Sequence, residues 1–148
     1  MPFIASVSKI DLPYKIAQQE VKERARLAFA ESFPQIDRLI QAFDNTEIIT
    51  RNFCQPISYY IIPKTFEERN NEYQRITLAW SVKAIEDCIA KADIHQRDIT
   101  DILFVSTTGL ATPSMDALII NKLRLNPHIN RTPIFGLGCG GGVSGIDG

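Results

Sequence analysis

The chain has 148 residues, of which 45% are hydrophobic and 22% charged, with a net charge of −1. Such a length fits one ordinary domain with a real core, and so even a charge balance excludes nucleic acid or an anionic membrane as a main partner. The longest uncharged apolar stretch is far too short to cross a bilayer. Taken from the N-terminus, residues 1–9 lack the basic start and long apolar run of a signal peptide, so a cytoplasmic location is expected. Residues 3–12 predict a strand that ends at Pro13. Residues 14–31 predict a helix, with Ile16, Val21, Leu27 and Phe29 set among charged residues and Pro34 beyond its end. Ile36, Leu39, Ile40 and Phe43 predict a second helix over 34–44. Residues 47–54 predict a strand.

Residues 66–92 carry the clearest helical pattern. Tyr73, Ile76, Trp80 and Ala84 form one stripe, and Leu78, Val82, Ile85, Ile89 and Ala92 an adjoining one. An apolar arc that wide predicts burial on more than one side. The continuous apolar run from Ile102 to Ser106 predicts an inner strand covered on both faces. A helix follows from about Pro113 to Leu125, and a last strand after Pro133. Helix, strand, helix, strand, with no polar alternation in the strands, predicts an α/β layered fold with helices on both sides of the sheet.

That last strand ends in Gly136-Leu-Gly-Cys139-Gly-Gly-Gly142. A thiol where a strand turns into a helix lies in a field that favours thiolate. Glycines around it leave room for a substrate's carbonyl carbon to approach the sulfur. This is the local pattern of a nucleophilic cysteine. Cys54 and Cys88, by contrast, read as small inert core residues. An odd cysteine count without a Cys-x-x-Cys pair argues against disulfides and structural zinc, and His95 and His128 read as loop residues. The same glycines also fit the Gly-x-Gly-x-x-Gly dinucleotide fingerprint. A cysteine inside the loop, and some 130 residues of other structure before it, weigh against that alternative.

The run Ile102-Leu-Phe-Val-Ser-Thr-Thr108-Gly-Leu-Ala-Thr-Pro113-Ser-Met-Asp-Ala, then Leu123-Arg-Leu-Asn-Pro127 and Arg131-Thr-Pro-Ile-Phe-Gly-Leu-Gly-Cys139-Gly-Gly-Gly, resembles the bacterial branch of the type III polyketide synthases. These are chalcone synthase-like enzymes of the thiolase-like condensing superfamily. Phe43-Asp-Asn-Thr46, Thr50-Arg-Asn-Phe53 and Phe66-Glu-Glu-Arg-Asn70 agree with the same branch. The resemblance implies a thiolase-like αβαβα fold, represented over residues 1–148 by its N-terminal half. It implies that Cys139 attacks an acyl-CoA thioester and carries the chain while malonyl-CoA supplies two-carbon units by decarboxylative Claisen condensation. No cofactor and no metal are implied, and the family works as a homodimer. Thr107 and Thr108 match residues lining the cavity beside the cysteine. Thr112 matches a residue that reaches across the dimer interface, where plant members often carry methionine. Arg38 matches one of the basic residues that meet the CoA phosphates, whereas Gln41 and Asn45 depart from that pattern, and Gly140 stands where most relatives carry alanine or larger.

In the family a histidine and an asparagine downstream of the cysteine complete the site. Neither His95 nor His128 matches that histidine, so the expectation for these 148 residues is a fragment without catalysis of its own. A ketoacyl synthase III-like or HMG-CoA synthase-like condensing enzyme is the alternative within the superfamily.

Overall fold

A computed structural model describes residues 3–147. The chain divides into two compact units, Asp11–Lys64 and a second that joins the N-terminal segment up to Ile10 with everything from Thr65 onward.

The Asp11–Lys64 unit is a short antiparallel pair wrapped by helices. Strand β1 (Tyr14–Ala17) pairs with β2 (Thr50–Phe53), Tyr14 opposite Phe53 and Ala17 opposite Thr50. The predicted helix from residue 14 is corrected here: its first four residues are claimed by β2, and helix α1 (Gln18–Phe29) starts only afterwards. Gln18 explains the switch point. Its buried amide accepts from Arg51 Nε at 2.7 Å and donates to the Phe43 carbonyl at 3.2 Å, joining α1, β2 and the connecting helices. The predicted helix 34–44 is instead two short helices, α2 (Ile36–Ile40) and α3 (Ala42–Asn45), hinged at Gln41. Ion pairs Arg26–Asp37 at 2.8 Å and Lys22–Asp44 at 2.7 Å bind them to α1. A further helix, α4 (Ile57–Ile61), follows β2 and had no periodic signal of its own.

The second unit is built on α5 (Phe66–Ala92), whose bounds coincide with the expected ones. Thr65 and Glu68 form a capping box, the Thr65 hydroxyl accepting from Glu68 N–H at 3.1 Å and the Glu68 carboxylate from Thr65 N–H at 2.7 Å. Asp93, in the left-handed region, ends the helix. Strands β3 (Asp101–Ser106) and β4 (Asn130–Phe135) pair in parallel, Asp101 opposite Asn130 and Ser106 opposite Phe135. Helix α6 (Met115–Leu123) is the crossover between them. The core is a cluster of Ile119, Ile120, Leu123, Leu125 and Ile129, packed against Leu78, Val82 and Ile85 of α5 and Ile102 and Phe104 of β3. Each such buried aliphatic side chain contributes about 2 kcal/mol by leaving water.

Three expectations are corrected in this unit. Strand β3 is unevenly covered: Ile102 and Phe104 turn to the core and are partly buried, while Leu103 and Val105 on the other face stay over a third exposed. Helix α5 is nowhere fully buried, because the core cluster centred on α6 covers only one side of its wide apolar arc, at Leu78, Val82 and Ile85. The predicted strand over residues 3–12 is also absent. The segment is held instead by side chains, Ser6 Oγ donating to the Cys88 carbonyl at 2.8 Å and Ser8 Oγ to Asp87 at 2.5 Å. Helix α7 (Gly141–Asp147) lies on the outer face of β3. Among the described residues no helix is long and apolar enough to cross a membrane.

Candidate active site

Cys139 sits in a single 3-10 turn, Gly138–Gly140, between the end of β4 and the start of α7. Two glycines shape the approach. Gly136 has φ 81° and Gly138 has φ 53°, left-handed values that an L side chain adopts only with strain. Gly140 N–H donates to the Leu137 carbonyl at 3.1 Å, closing the turn, and Ser144 Oγ donates to the Gly140 carbonyl at 3.1 Å. The thiol is exposed. A Cβ added at Gly136, Gly138 or Gly140 would meet nothing within 4 Å, so the turn is open on the side these glycines face.

The next glycines have a different task. A Cβ at Gly141 would stand 2.7 Å from Val105 Cγ1, and one at Gly145 would stand 2.9 Å from Val105 Cγ2. These two positions, four apart on one helix face, let the α7 backbone settle onto β3. The glycine run thus serves backbone conformation before Cys139 and close packing after it.

Thr107 and Thr108 directly follow β3 and are exposed. Because β3 and β4 are parallel neighbours, both threonines and the Cys139 turn leave the same carboxyl-end edge of the sheet, where open α/β sheets place ligands. A hydrogen bond from Gly136 N–H to the Ser106 carbonyl at 3.1 Å carries the pairing one step past the last paired residues. Thr112 lies farther along the same loop, exposed, just before a cis Thr112–Pro113 bond. Arg38 is exposed on α2 in the other unit.

Beneath the loop is a cavity of about 160 Å³, lined by Phe104, Ser106, Leu110, Met115 and Asp116 among others; none of Cys139, Thr107, Thr108 and Thr112 lines it. Asp116 is fully buried, and neither carboxylate oxygen has a hydrogen-bond partner among the described residues. Its ion partner is Arg131, whose Nε stands 3.6 Å away. Sequence reasoning passed over Asp116, which lies on the apolar helix α6 with no local sign of its burial.

It also passed over the polar residues that fix the threonine loop. Asn70, Tyr73 and Gln74 of α5 all face it, although the apolar stripe predicts only packing for Tyr73. The spacing i, i+3, i+4, which sets Asn70, Tyr73 and Gln74 side by side on one face of the helix, was the available signal.

The other thiols are engaged. Cys54 Sγ lies 3.0 Å from Tyr60 Oη, and burial together with that contact raises the Tyr60 phenol above its ordinary range. Cys88 Sγ lies 2.9 Å from Ser6 Oγ. Both cysteines are half-buried rather than sealed in a core. Among the described residues no group of three or more His, Cys, Asp or Glu could hold a metal ion.

Comparison with known proteins identifies the family. Residues 47–147 match the family described as chalcone and stilbene synthases, N-terminal domain. A putative chalcone synthase of Bacillus subtilis is 40% identical over 151 aligned residues, covering 99% of this chain and 41% of that protein. The crystal structure of 1,3,6,8-tetrahydroxynaphthalene synthase from Streptomyces coelicolor, a bacterial type III polyketide synthase, superposes with a TM-score of 0.83 at 31% identity, covering 96% of this chain and 40% of that one. A variant of CsyB solved in complex with CoA-SH shares the fold, with a TM-score of 0.77 at 24% identity over 95% of this chain and 38% of that one. The chain spans about two fifths of the length of the relatives it matches. It has the mixed α/β architecture of the N-terminal part of the thiolase-like fold, and it belongs to the type III polyketide synthase family.

Proposed function

We propose that Cys139 is the acyl-accepting nucleophile of a type III polyketide synthase and that these residues form the N-terminal portion of its chalcone synthase-like domain. In the proposed first step the Cys139 thiolate attacks the carbonyl carbon of an acyl-CoA thioester. The carbon–sulfur bond to CoA breaks, CoA leaves as thiolate and takes up a proton, and the acyl group stays on Cys139. In the second, malonyl-CoA loses carbon dioxide. The resulting enolate carbon attacks the cysteine-bound acyl carbonyl, a carbon–carbon bond forms, and the Cys139 thiolate is released. The observation that carries this reading is an exposed thiol in an open glycine-shaped turn, on the same sheet edge as Thr107 and Thr108.

Thr107 and Thr108 are assigned to the wall of the acyl site, Thr112 to a homodimer interface of the family type, and Arg38 to the CoA phosphates. CoA-thioester substrates fit the CoA-SH complex of the related CsyB variant. The intracellular supply of CoA thioesters fits a cytoplasmic enzyme. The condensation step also demands donors for the enolate and oxyanion, which the resemblance assigns to a histidine and an asparagine beyond Cys139. These 148 residues are accordingly assigned acyl capture without polyketide turnover.

The test is intact-protein mass spectrometry after incubation with acetyl-CoA and with longer acyl-CoA donors. One acyl adduct is expected, on Cys139, missing in Cys139→Ala. An adduct that persists in Cys139→Ala, or no adduct at all, defeats the nucleophile assignment. Any polyketide formed from malonyl-CoA by this chain, and lost in Cys139→Ala, defeats the assignment of capture alone.

A further inference from the structure

We propose that Asn70, Tyr73 and Gln74 of α5 are positioning residues that set the dimensions of the acyl site by clamping the loop carrying Thr107, Thr108 and Thr112; the proposal rests on Cys139 being the acyl carrier. The three side chains stand on one face of α5 and meet the loop at two adjacent residues, Gly109 and Leu110. Leu110 is held through its backbone: its N–H donates to Asn70 Oδ1 at 2.7 Å, and its carbonyl accepts from Asn70 Nδ2 at 2.9 Å. The same carbonyl accepts from Gln74 Nε2 at 2.9 Å, so two donors meet both of its lone pairs. Gly109 is pressed onto the Tyr73 ring, where an added Cβ would fall 2.2 Å from Cδ1, and its φ is 73°. Thr108 is held through its carbonyl, which accepts from Ser106 Oγ at 2.8 Å.

Ser106 joins this clamp to the nucleophile. Its one hydroxyl proton goes to the Thr108 carbonyl, so the 2.8 Å contact with Tyr73 Oη has Tyr73 as donor. Its own carbonyl accepts from Gly136 N–H at the root of the Cys139 turn. Residue 106 is therefore bonded to α5 and the threonine loop through its side chain, and to the cysteine loop through its backbone. None of these bonds uses the Thr107 or Thr108 side chains, which stay exposed. An arrangement that fixes a loop backbone at 108, 109 and 110 while leaving two side chains outward sets how far those side chains stand from the sulfur.

The experiment compares acylation of Cys139 by acetyl-CoA and by octanoyl-CoA, read by intact mass in wild type, Tyr73→Phe, Asn70→Ala and Gln74→Ala. Tyr73→Phe keeps the ring against Gly109 and so guards against a variant that merely fails to fold. The ratio of the two acylation rates is expected to shift about fivefold or more in Tyr73→Phe and Asn70→Ala, with iodoacetamide labelling of Cys139 within about twofold of wild type. Loss of stability alone slows both donors alike and leaves the ratio intact. Acylation at an unchanged ratio in all three variants overturns the clamp and spares the nucleophile. Absence of acylation in wild type overturns both.

Discussion

The three cysteines differ in what touches them, and this difference has a measurable consequence. Cys139 is exposed in an open turn, whereas Cys54 lies against the Tyr60 phenol and Cys88 against the Ser6 hydroxyl, both half-buried. Iodoacetamide near neutral pH is expected to label Cys139 first, with peptide mapping giving the order; equal rates at all three under native conditions would count against a preformed site. A second prediction concerns Asp116. A buried carboxylate without hydrogen-bond partners among the described residues leans on one guanidinium 3.6 Å away, which is itself about half exposed. Breaking a fully buried pair costs about 3–5 kcal/mol, and solvent screening at Arg131 reduces that, so Arg131→Met is expected to cost about 1–3 kcal/mol. Adding Asp116→Asn should return part of the loss, because no charge is then left alone inside. Urea unfolding of the single and double variants measures both.

At the scale of elements, α7 is the informative case, since its glycines look alike in sequence and differ in what surrounds them. Gly142 faces open space, while Gly145 lies against Val105. Gly142→Ala is expected to stabilise by about 0.5–1 kcal/mol through helix propensity and a stiffer unfolded chain. Gly145→Ala gains the same propensity but is expected to destabilise, and Val105→Ala in the same chain should relieve the clash. Thermal unfolding compares the set; a stabilising Gly145→Ala would mean that α7 does not rest on β3. Legibility from sequence follows the same line between local and tertiary causes. Helix α5 was readable end to end because its periodic pattern is long and Thr65 and Glu68 cap it locally. The segment 14–17 was not, because its strand state depends on β2, more than thirty residues away. Residues 3–12 read as strand from their apolar content, yet the segment is anchored by Ser6 and Ser8 to the side of α5.

For the whole molecule, the exposed cysteine turn was legible because a glycine-flanked cysteine after an apolar strand is a local signal. The clamp of Asn70, Tyr73 and Gln74 was not, because its partners lie some thirty to forty residues away in the chain. One group of exposed apolar side chains lies at the end of β4 and on α7, where Phe135, Leu137, Val143 and Ile146 are each more than half exposed. Apolar side chains grouped in this way mark an association surface. The chain alone is expected to self-associate in a concentration-dependent manner, and Val143→Lys with Ile146→Lys to reduce it, with light scattering after size exclusion as the measure. A monodisperse monomer at high concentration would contradict this. The aromatic ring that occupies the space beside Gly109 has one more implication, for the history of the chain. Positions 73 and 109 share a single volume, so neither can drift by itself; a descendant that acquires a methyl or more at 109 must first, or at once, shed the ring at 73, and inherited changes at the two sites should arrive as a couple.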